Sequence, residues 1–324
     1  MNIRSCLFAG VQLALGLVCT AGAFAQSYPQ KPIRILVPYG SAGTSDVLAR
    51  TMAQKLSEAW GQQIVVDNRP GASGIIAVEL LTKAPADGYT ILSVDSGQYA
   101  INPSLHAKLP YDPERDFTPV ILAVGTPMFI AVGSQIPANN IRELIAYARA
   151  NPGRPYGSSG NGTIHHLCTE LFKSMAGVNL THIPYKAVAQ SVPALLAGDT
   201  DMMCVGLASV AAHAKAGKVR ILGVGTAART PLAPDVPTLA EAGVPGYEIG
   251  GTMGYVAPAG TPPEVVAKIN GEMLRALNSA DVRQRFAPLG IDIIGSTPAE
   301  FGQRMRSELQ SYRKVVRDTG VKGD

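Results

Sequence analysis

Apolar and polar positions along this chain follow two alternating rhythms. Residues 33–37, apolar but for Arg34, read as a strand buried on both faces. Val47, Leu48, Met52 and Leu56 follow at near-helical spacing, in a helix that begins near Val47 and stops at Gly61. Residues 64–66 make the next strand. The turn Asn68-Arg69-Pro70-Gly71-Ala72-Ser73-Gly74 leads into a helix over 76–83, and Asp87-Gly88 opens a strand over 90–94. Strand, helix, strand, helix, strand predicts a parallel sheet with crossover helices. Residues 102–119 are Pro-rich and read as irregular.

The second half repeats this architecture without repeating its sequence. Strands are expected over 120–124 and 128–132, the latter opening a new unit, followed by a helix over 141–150. The next helix places Leu167, Leu171, Phe172 and Met175 on one face. Strands at 182–185, 201–205 and 219–224 alternate with helices at 192–197 and 210–216. The Pro-rich segment 231–245 suits a crossing between units, and 247–257 reads as extended. Thr261-Pro262-Pro263-Glu264 and Thr297-Pro298-Ala299-Glu300 both match a capping box with proline at the first helical position. The two helices they start have no sheet of their own, so they are expected to return to the first half. That return divides the chain into a discontinuous lobe, residues 26–125 plus 247–324, and a second lobe, residues 126–246.

Composition supports a well-buried α/β protein: 46% of the 324 residues are hydrophobic and 16% charged, which excludes a disordered chain. Residues 1–25 have the parts of a cleavable signal peptide, with Arg4 as the single charge, an apolar stretch over 6–18 and the small-x-small site Ala23-Phe24-Ala25. The apolar stretch is shorter than the roughly 20 residues a spanning helix needs. Val18 before Cys19 is not the small residue that lipidation asks for. The mature chain is therefore expected to start at Gln26 and to be soluble and exported. Its formal charge, +4 for the full sequence, is too small and scattered to argue for nucleic acid. Cys168 and Cys204 remain after cleavage; an oxidising compartment permits a disulfide, but their apolar neighbourhoods favour two small buried residues.

Two stretches carry the candidate chemistry, Pro38-Tyr39-Gly40-Ser41-Ala42-Gly43-Thr44-Ser45-Asp46 and Pro155-Tyr156-Gly157-Ser158-Ser159-Gly160-Asn161-Gly162-Thr163. Each lies between a strand and a helix. Gly and Ser there leave backbone N–H groups and hydroxyls uncovered at a helix N-terminus, where an anion binds without a buried cation. Paired loops far apart in sequence suggest two lobes that each offer one to the same ligand. Asp46 would repel an anion, so it is assigned a supporting role, capping the helix start by accepting backbone N–H bonds. His166 lies on the first turn after the second loop, where it either touches ligand or serves as a structural histidine.

Catalytic signatures are lacking. There is no G-x-S-x-G elbow and no P-loop. Gly223-Val224-Gly225-Thr226-Ala227-Ala228 follows a strand, but Arg229-Thr230-Pro231 after it does not start the helix a dinucleotide site requires. His106, His165, His166, His182 and His213 show no zinc spacing, and adjacent residues on a helix point about 100° apart. No catalytic residue, metal or cofactor is expected. A hydrolase would need Ser41 or Ser159 as nucleophile with His165 or His166 as base.

Several motifs in order carry a resemblance. Tyr28-Pro29 through Lys31-Pro32-Ile33-Arg34 is followed by Asp67-Asn68-Arg69-Pro70-Gly71-Ala72-Ser73-Gly74 and Ala86-Asp87-Gly88-Tyr89-Thr90. Asn102-Pro103, Leu109-Pro110-Tyr111-Asp112 and Asp116-Phe117-Thr118-Pro119-Val120 continue it. His182-Ile183-Pro184-Tyr185-Lys186, Val236-Pro237-Thr238 and Ala257-Pro258-Ala259-Gly260-Thr261-Pro262 complete it. Together they resemble the Bug family of periplasmic solute receptors that serve tripartite tricarboxylate transporters. The resemblance implies a type II-like periplasmic-binding-protein fold, two α/β lobes that close like a Venus flytrap on a small carboxylate. It places the ligand among Tyr39, Ser41, Ala42, Gly43 and Thr44 of the first loop and Ser158, Ser159, Gly160, Asn161, Gly162 and Thr163 of the second. The strand end at Ser96 and Gln98 and the pair Tyr185 and Lys186 are further candidates.

Three positions depart from the family pattern. Gly40-Ser41-Ala42-Gly43 stands where the family usually has Pro-Pro-Gly-Gly, Ala187 stands where Gly usually follows the lysine, and Gly251-Thr252-Met253-Gly254 lacks a common Trp. All lie near the implied cleft. The implied partners are a di- or tricarboxylate or an aromatic acid and the membrane components of a transporter, with the receptor a monomer. A sensor subunit that presents its closed form to a signalling protein would share the same binding chemistry.

Overall fold

The computed structural model describes residues 28–321 apart from Ala42 and Ala107, so the signal peptide expected over residues 1–25 and the candidate Ala42 lie outside the described residues. β1 (Ile33–Val37) leads through α1 (Thr44–Trp60) to β2 (Ile64–Asn68), and α2 (Ile75–Thr82) leads on to β3 (Thr90–Asp95). β2 and β3 flank β1, both parallel to it, as the alternating pattern requires. α1 starts three residues before Val47. Thr44, Ser45 and Asp46 fill a first turn whose N–H groups have no intrahelical acceptor, a place that suits polar side chains. Gly61, at φ 63°, ends the helix by donating to the Ser57 carbonyl.

Residues 102–119 are irregular only in their middle. A π-helical turn at Gly97–Ile101 runs into α3 (Asn102–Leu105) and then α4 (Pro113–Asp116), which Asp112 caps by accepting the Glu114 N–H. The two strands expected over 120–132 are one strand, β4 (Phe117–Gly133). α5 (Ile141–Ala150), β5 (Arg154–Ser158), α6 (Ile164–Ala176), β6 (Leu180–Pro184), α7 (Val188–Ala197), β7 (Met202–Gly206), α8 (Ala211–Lys215) and β8 (Val219–Val224) follow in order. An irregular crossing segment leads to β9 (Gly250–Pro258), then α9 (Pro263–Asn278), α10 (Ala280–Phe286), β10 (Asp292–Ile293) and α11 (Pro298–Thr319).

β4 joins two sheets in the strand order β2-β1-β3-β9-β4-β7-β5-β6. Its first part runs antiparallel to β9, from Phe117 opposite Pro258 to Pro127 opposite Gly250. From Met128 it runs antiparallel to β7 and β8. Pro127 lacks an N–H, and it stands where one ladder ends and the next begins, so no ladder bond is lost. Ile33, Ile35, Leu48 and Met52 pack with Ile269 and Met273 of α9 in a core that also takes in Tyr255 of β9.

Three further expectations are corrected. Thr261 does not cap α9: its hydroxyl donates to the Pro258 carbonyl at 2.8 Å and Pro262 occupies the cap position, whereas the box at Thr297 and Glu300 is formed. α11 packs on β4, the 97–101 turn and α3, but also on α6, so it does not pack on the first half alone. Cys168 of α6 and Cys204 of β7 are joined by a disulfide, with Cα atoms 6.0 Å apart and both residues fully buried. Their apolar surroundings and their bonding are compatible, because a disulfide is itself apolar.

Candidate functional site

The strand registers decide where the two Gly/Ser loops open. In the first sheet Asp95, the last residue of β3, lies opposite Met253, which lies opposite Val124 of β4. In the second sheet Gly206, the last residue of β7, lies opposite Met128, and β5 and β6 run parallel to β7. The carboxyl ends of both parallel sets therefore point at residues 124–128, from opposite sides. Loops after such ends are where open α/β sheets bind ligands. The halves touch there: a Cβ on Gly162 would lie 2.7 Å from Leu105 Cδ1 of α3.

The first loop is held by carboxylates and amides. Asn68 Nδ2 donates to the Tyr39 carbonyl at 3.0 Å and to Asp46 Oδ1 at 2.9 Å. Asp46 also accepts Arg50 Nε at 2.9 Å. Asp46 is thus in the first turn and not at the cap, which is Gly43 with no side-chain cap bond; it steadies the loop through Asn68 and Arg50. The Tyr39 hydroxyl is hydrogen-bonded to Asp95 and accepts from Gln98 Nε2 at 3.0 Å. Burial pushes the Asp95 carboxyl up, although it accepts the Gly97 N–H at 2.7 Å. Gly40, Ser41, Gly43 and Thr44 are exposed at the mouth.

A neighbouring turn was missed as part of this wall. Gly71, Ala72, Ser73 and Gly74 all have positive φ, 126°, 46°, 52° and 88°. For Ala72 and Ser73 this is a strained conformation, sustained by surrounding contacts. Ser73 offers its carbonyl to Asn102 Nδ2 at 3.0 Å and to Gln98 Nε2 at 3.4 Å. The Asn68–Gly74 stretch, rich in turn formers, was the signal for it.

The second loop is held by histidines. The Ser158 hydroxyl accepts the Gly160 N–H at 3.0 Å and lies 2.6 Å from His182 Nε2. The Ser159 hydroxyl lies 2.7 Å from His165 Nδ1. The Gly162 N–H donates to His166 Nδ1 at 3.0 Å. Thr163 caps α6, accepting the His166 N–H at 3.4 Å and donating to the Gly160 carbonyl at 2.8 Å. Tyr185 comes alongside, its N–H donating to the Ser158 carbonyl at 3.1 Å. Asn161 and Lys186 are exposed.

The proposed contact residues thus fall into two groups. Gly43, Thr44, Ser41, Asn161 and Lys186 are open to solvent, with Tyr39, Ser159, Gly160, Gly162, Thr163 and Tyr185 half-buried behind them. Gln98, Ser158 and His166 are buried, and their polar atoms are engaged in holding the loops. Ser96 is placed elsewhere. Its hydroxyl meets Thr252 Oγ1 and Glu308 Oε2, each at 3.1 Å, in a buried cluster with Tyr99 at the junction of β9 and α11. β3 ends at Asp95 and Ser96 already has helical angles, φ −51° and ψ −23°, so the two neighbouring side chains part at the end of the strand.

Ser159 beside His165 is the hydrolase pair the sequence allowed. Burial alone pulls His165 down to about 4, with no carboxylate contributing, so the orienting acid of a triad is missing. Among the described residues no group of three or more His, Cys, Asp or Glu side chains is placed to hold a metal. No helix among them is long and apolar enough to cross a membrane.

Two sheets bridged by crossing strands, with loops converging on the bridge, make this a mixed α/β periplasmic-binding-protein fold. Residues 48–321 match the model of the tripartite tricarboxylate transporter family receptors, and the chain belongs to that family of solute-binding receptors, which are not enzymes. Rpa4515 of R. palustris, solved with adipate, is 38% identical with a TM-score of 0.80, covering 91% of this chain and 99% of that one. The periplasmic binding protein BugD is 32% identical with a TM-score of 0.76, covering 92% and 100%. MatC of Rhodopseudomonas palustris, solved with bound malate, is 30% identical with a TM-score of 0.76, covering 89% and 100%.

Proposed function

We propose that this receptor binds an aliphatic dicarboxylate in the size range from malate to adipate. The observation that carries the reading is the convergence of the 38–43 and 158–163 loops on residues 124–128 of β4. Each carboxylate meets one loop at the start of α1 or α6, where backbone N–H groups supply compensation and Lys186 stands at the rim. Tyr39, its hydroxyl engaged by Asp95 and Gln98, offers its ring to the aliphatic body. The lobes, residues 26–125 plus 247–324 and residues 126–246, hinge at β4 and β9. Closure removes water from the carboxylates and strengthens their hydrogen bonds. Cleavage of residues 1–25 releases the receptor into the periplasm, where it acts as a monomer and hands its cargo to the membrane components of a tripartite transporter.

Adipate and malate found with relatives at 38% and 30% identity support this range. Calorimetry and thermal unfolding of residues 26–324 with mono-, di- and tricarboxylates test it. A ligand at 100 times its Kd raises unfolding free energy by about 2.7 kcal/mol. The absence of both heat and stabilisation with every dicarboxylate of the panel would overturn the proposal.

A further inference from the structure

Three imidazoles lie under the second loop, and each engages a different loop residue: His182 meets Ser158, His165 meets Ser159 and His166 meets Gly162. The Gly162 bond fixes one protonation state. A backbone N–H can only donate, so His166 Nδ1 must be an unprotonated acceptor. Its other nitrogen, Nε2, lies 4.0 Å from Glu170 Oε1. The His166 and His182 rings stack at 3.9 Å between centroids and 8° between planes, and Tyr156 stacks near both, at 4.9 Å from His182 and 6.4 Å from His166. Two imidazolium rings at that separation would repel strongly.

We propose that His166 and the His182 ring stacked on it are positioning residues that shape the second ligand loop only while their rings are neutral, so that mild acid loosens the loop and weakens ligand binding. The affinity part rests on the dicarboxylate reading above. Protonation of His166 sets an Nδ1–H against the Gly162 N–H, removing the bond that closes the turn at Gly162, where φ is 68°. The charged groups around the stack come from α6: Glu170 favours a proton on the rings, and Lys173, paired with Glu170 at 2.7 Å, opposes it. From β5 the neighbours are the neutral Tyr156 and Ser158, and the Tyr156 hydroxyl donates to Glu170, further occupying that carboxylate. The first loop is held in part by the Asn68 and Gln98 side-chain amides, which do not titrate, so the bonds they make persist over the same range.

Amide exchange measured by NMR on the ligand-free protein at pH 7.5 and 5.5 tests the loop directly, after correction for the intrinsic pH dependence of exchange. The Gly162 amide should lose protection by roughly tenfold, the equivalent of one hydrogen bond, while amides near the start of α1 keep theirs. His166→Gln supplies a non-titrating carbonyl acceptor and should remove the pH dependence. Equal corrected protection of Gly162 in the wild type at both pH values overturns the proposal, and needs no variant to fold. Adipate titrations at the same two pH values form a separate arm, with weaker binding expected at pH 5.5. If neither adipate nor any other dicarboxylate of the panel binds at either pH, the dicarboxylate reading fails while the exchange result still decides the loop. Equal adipate affinity at both pH values removes the link between loop and ligand.

Discussion

The two loops look alike in sequence and are built differently. The first is tied down by Asp46, Asn68, Asp95 and Gln98, and its helix opens at Gly43 with no side-chain cap bond. The second rests on three imidazoles, carries a Thr163 cap, and has its helix cross-linked to β7 by Cys168 and Cys204. The amides of Asn68 and Gln98 hold their bonding roles through the neutral and mildly acidic range, whereas an imidazole can change from acceptor to donor within it. Two Gly/Ser turns that present the same chemistry to an anion can therefore respond oppositely to acid.

The largest expected effect tests the second half alone. Replacing Cys168 and Cys204 together by Ala frees a loop of sequence separation 36 and should lower the unfolding free energy by about 3–4 kcal/mol, read by urea denaturation. A loss below about 1 kcal/mol would mean that the cross-link contributes little to the contrast.

The next test uses pH. Burial lowers His182 below the ordinary imidazole value and His165 to about 4, so their contribution to stability is complete above roughly 6.5 and is lost as pH falls. Burial raises Asp95, which has the opposite sign: its cost grows as pH rises through its folded value and is relieved in acid. Asp95→Asn removes only the second effect. Its unfolding free energy should fall more steeply between pH 7 and pH 5 than that of the wild type, and parallel curves would break the comparison.

The smallest effect belongs to Lys186, exposed at the rim of the second loop. Lys186→Ala should change stability by less than about 0.5 kcal/mol. Its adipate affinity, measured by calorimetry, should fall by no more than a few-fold if N–H groups carry the compensation. A hundredfold loss would transfer that role to the lysine.

Much of the frame was legible because local pattern and packing agree. Ile33 to Val37, Ile141 to Ala150 and Val219 to Val224 fall where their periodicity puts them, and Gly61 ends α1 as its position suggests. The box at Thr297 and Glu300 formed, while its twin at Thr261 did not, since the Pro258 carbonyl lay within reach of the hydroxyl. β4 was hidden by Gly125-Thr126-Pro127, which locally spells a break. Only the handover from β9 to β7 at that point makes a residue without an N–H harmless.

By itself the sequence determined the alternation of strands and helices, the two Gly/Ser loops, and the family motifs that place both loops near one ligand. Those follow from neighbours in the chain, where side-chain periodicity and turn chemistry act. Only the tertiary structure decided that Ser96 faces Glu308 while Asp95 holds Tyr39, that Cys168 meets Cys204, and that His182 of β6 reaches Ser158 of the second loop. Contacts between residues dozens to hundreds of positions apart depend on strand order and register, which no local pattern encodes.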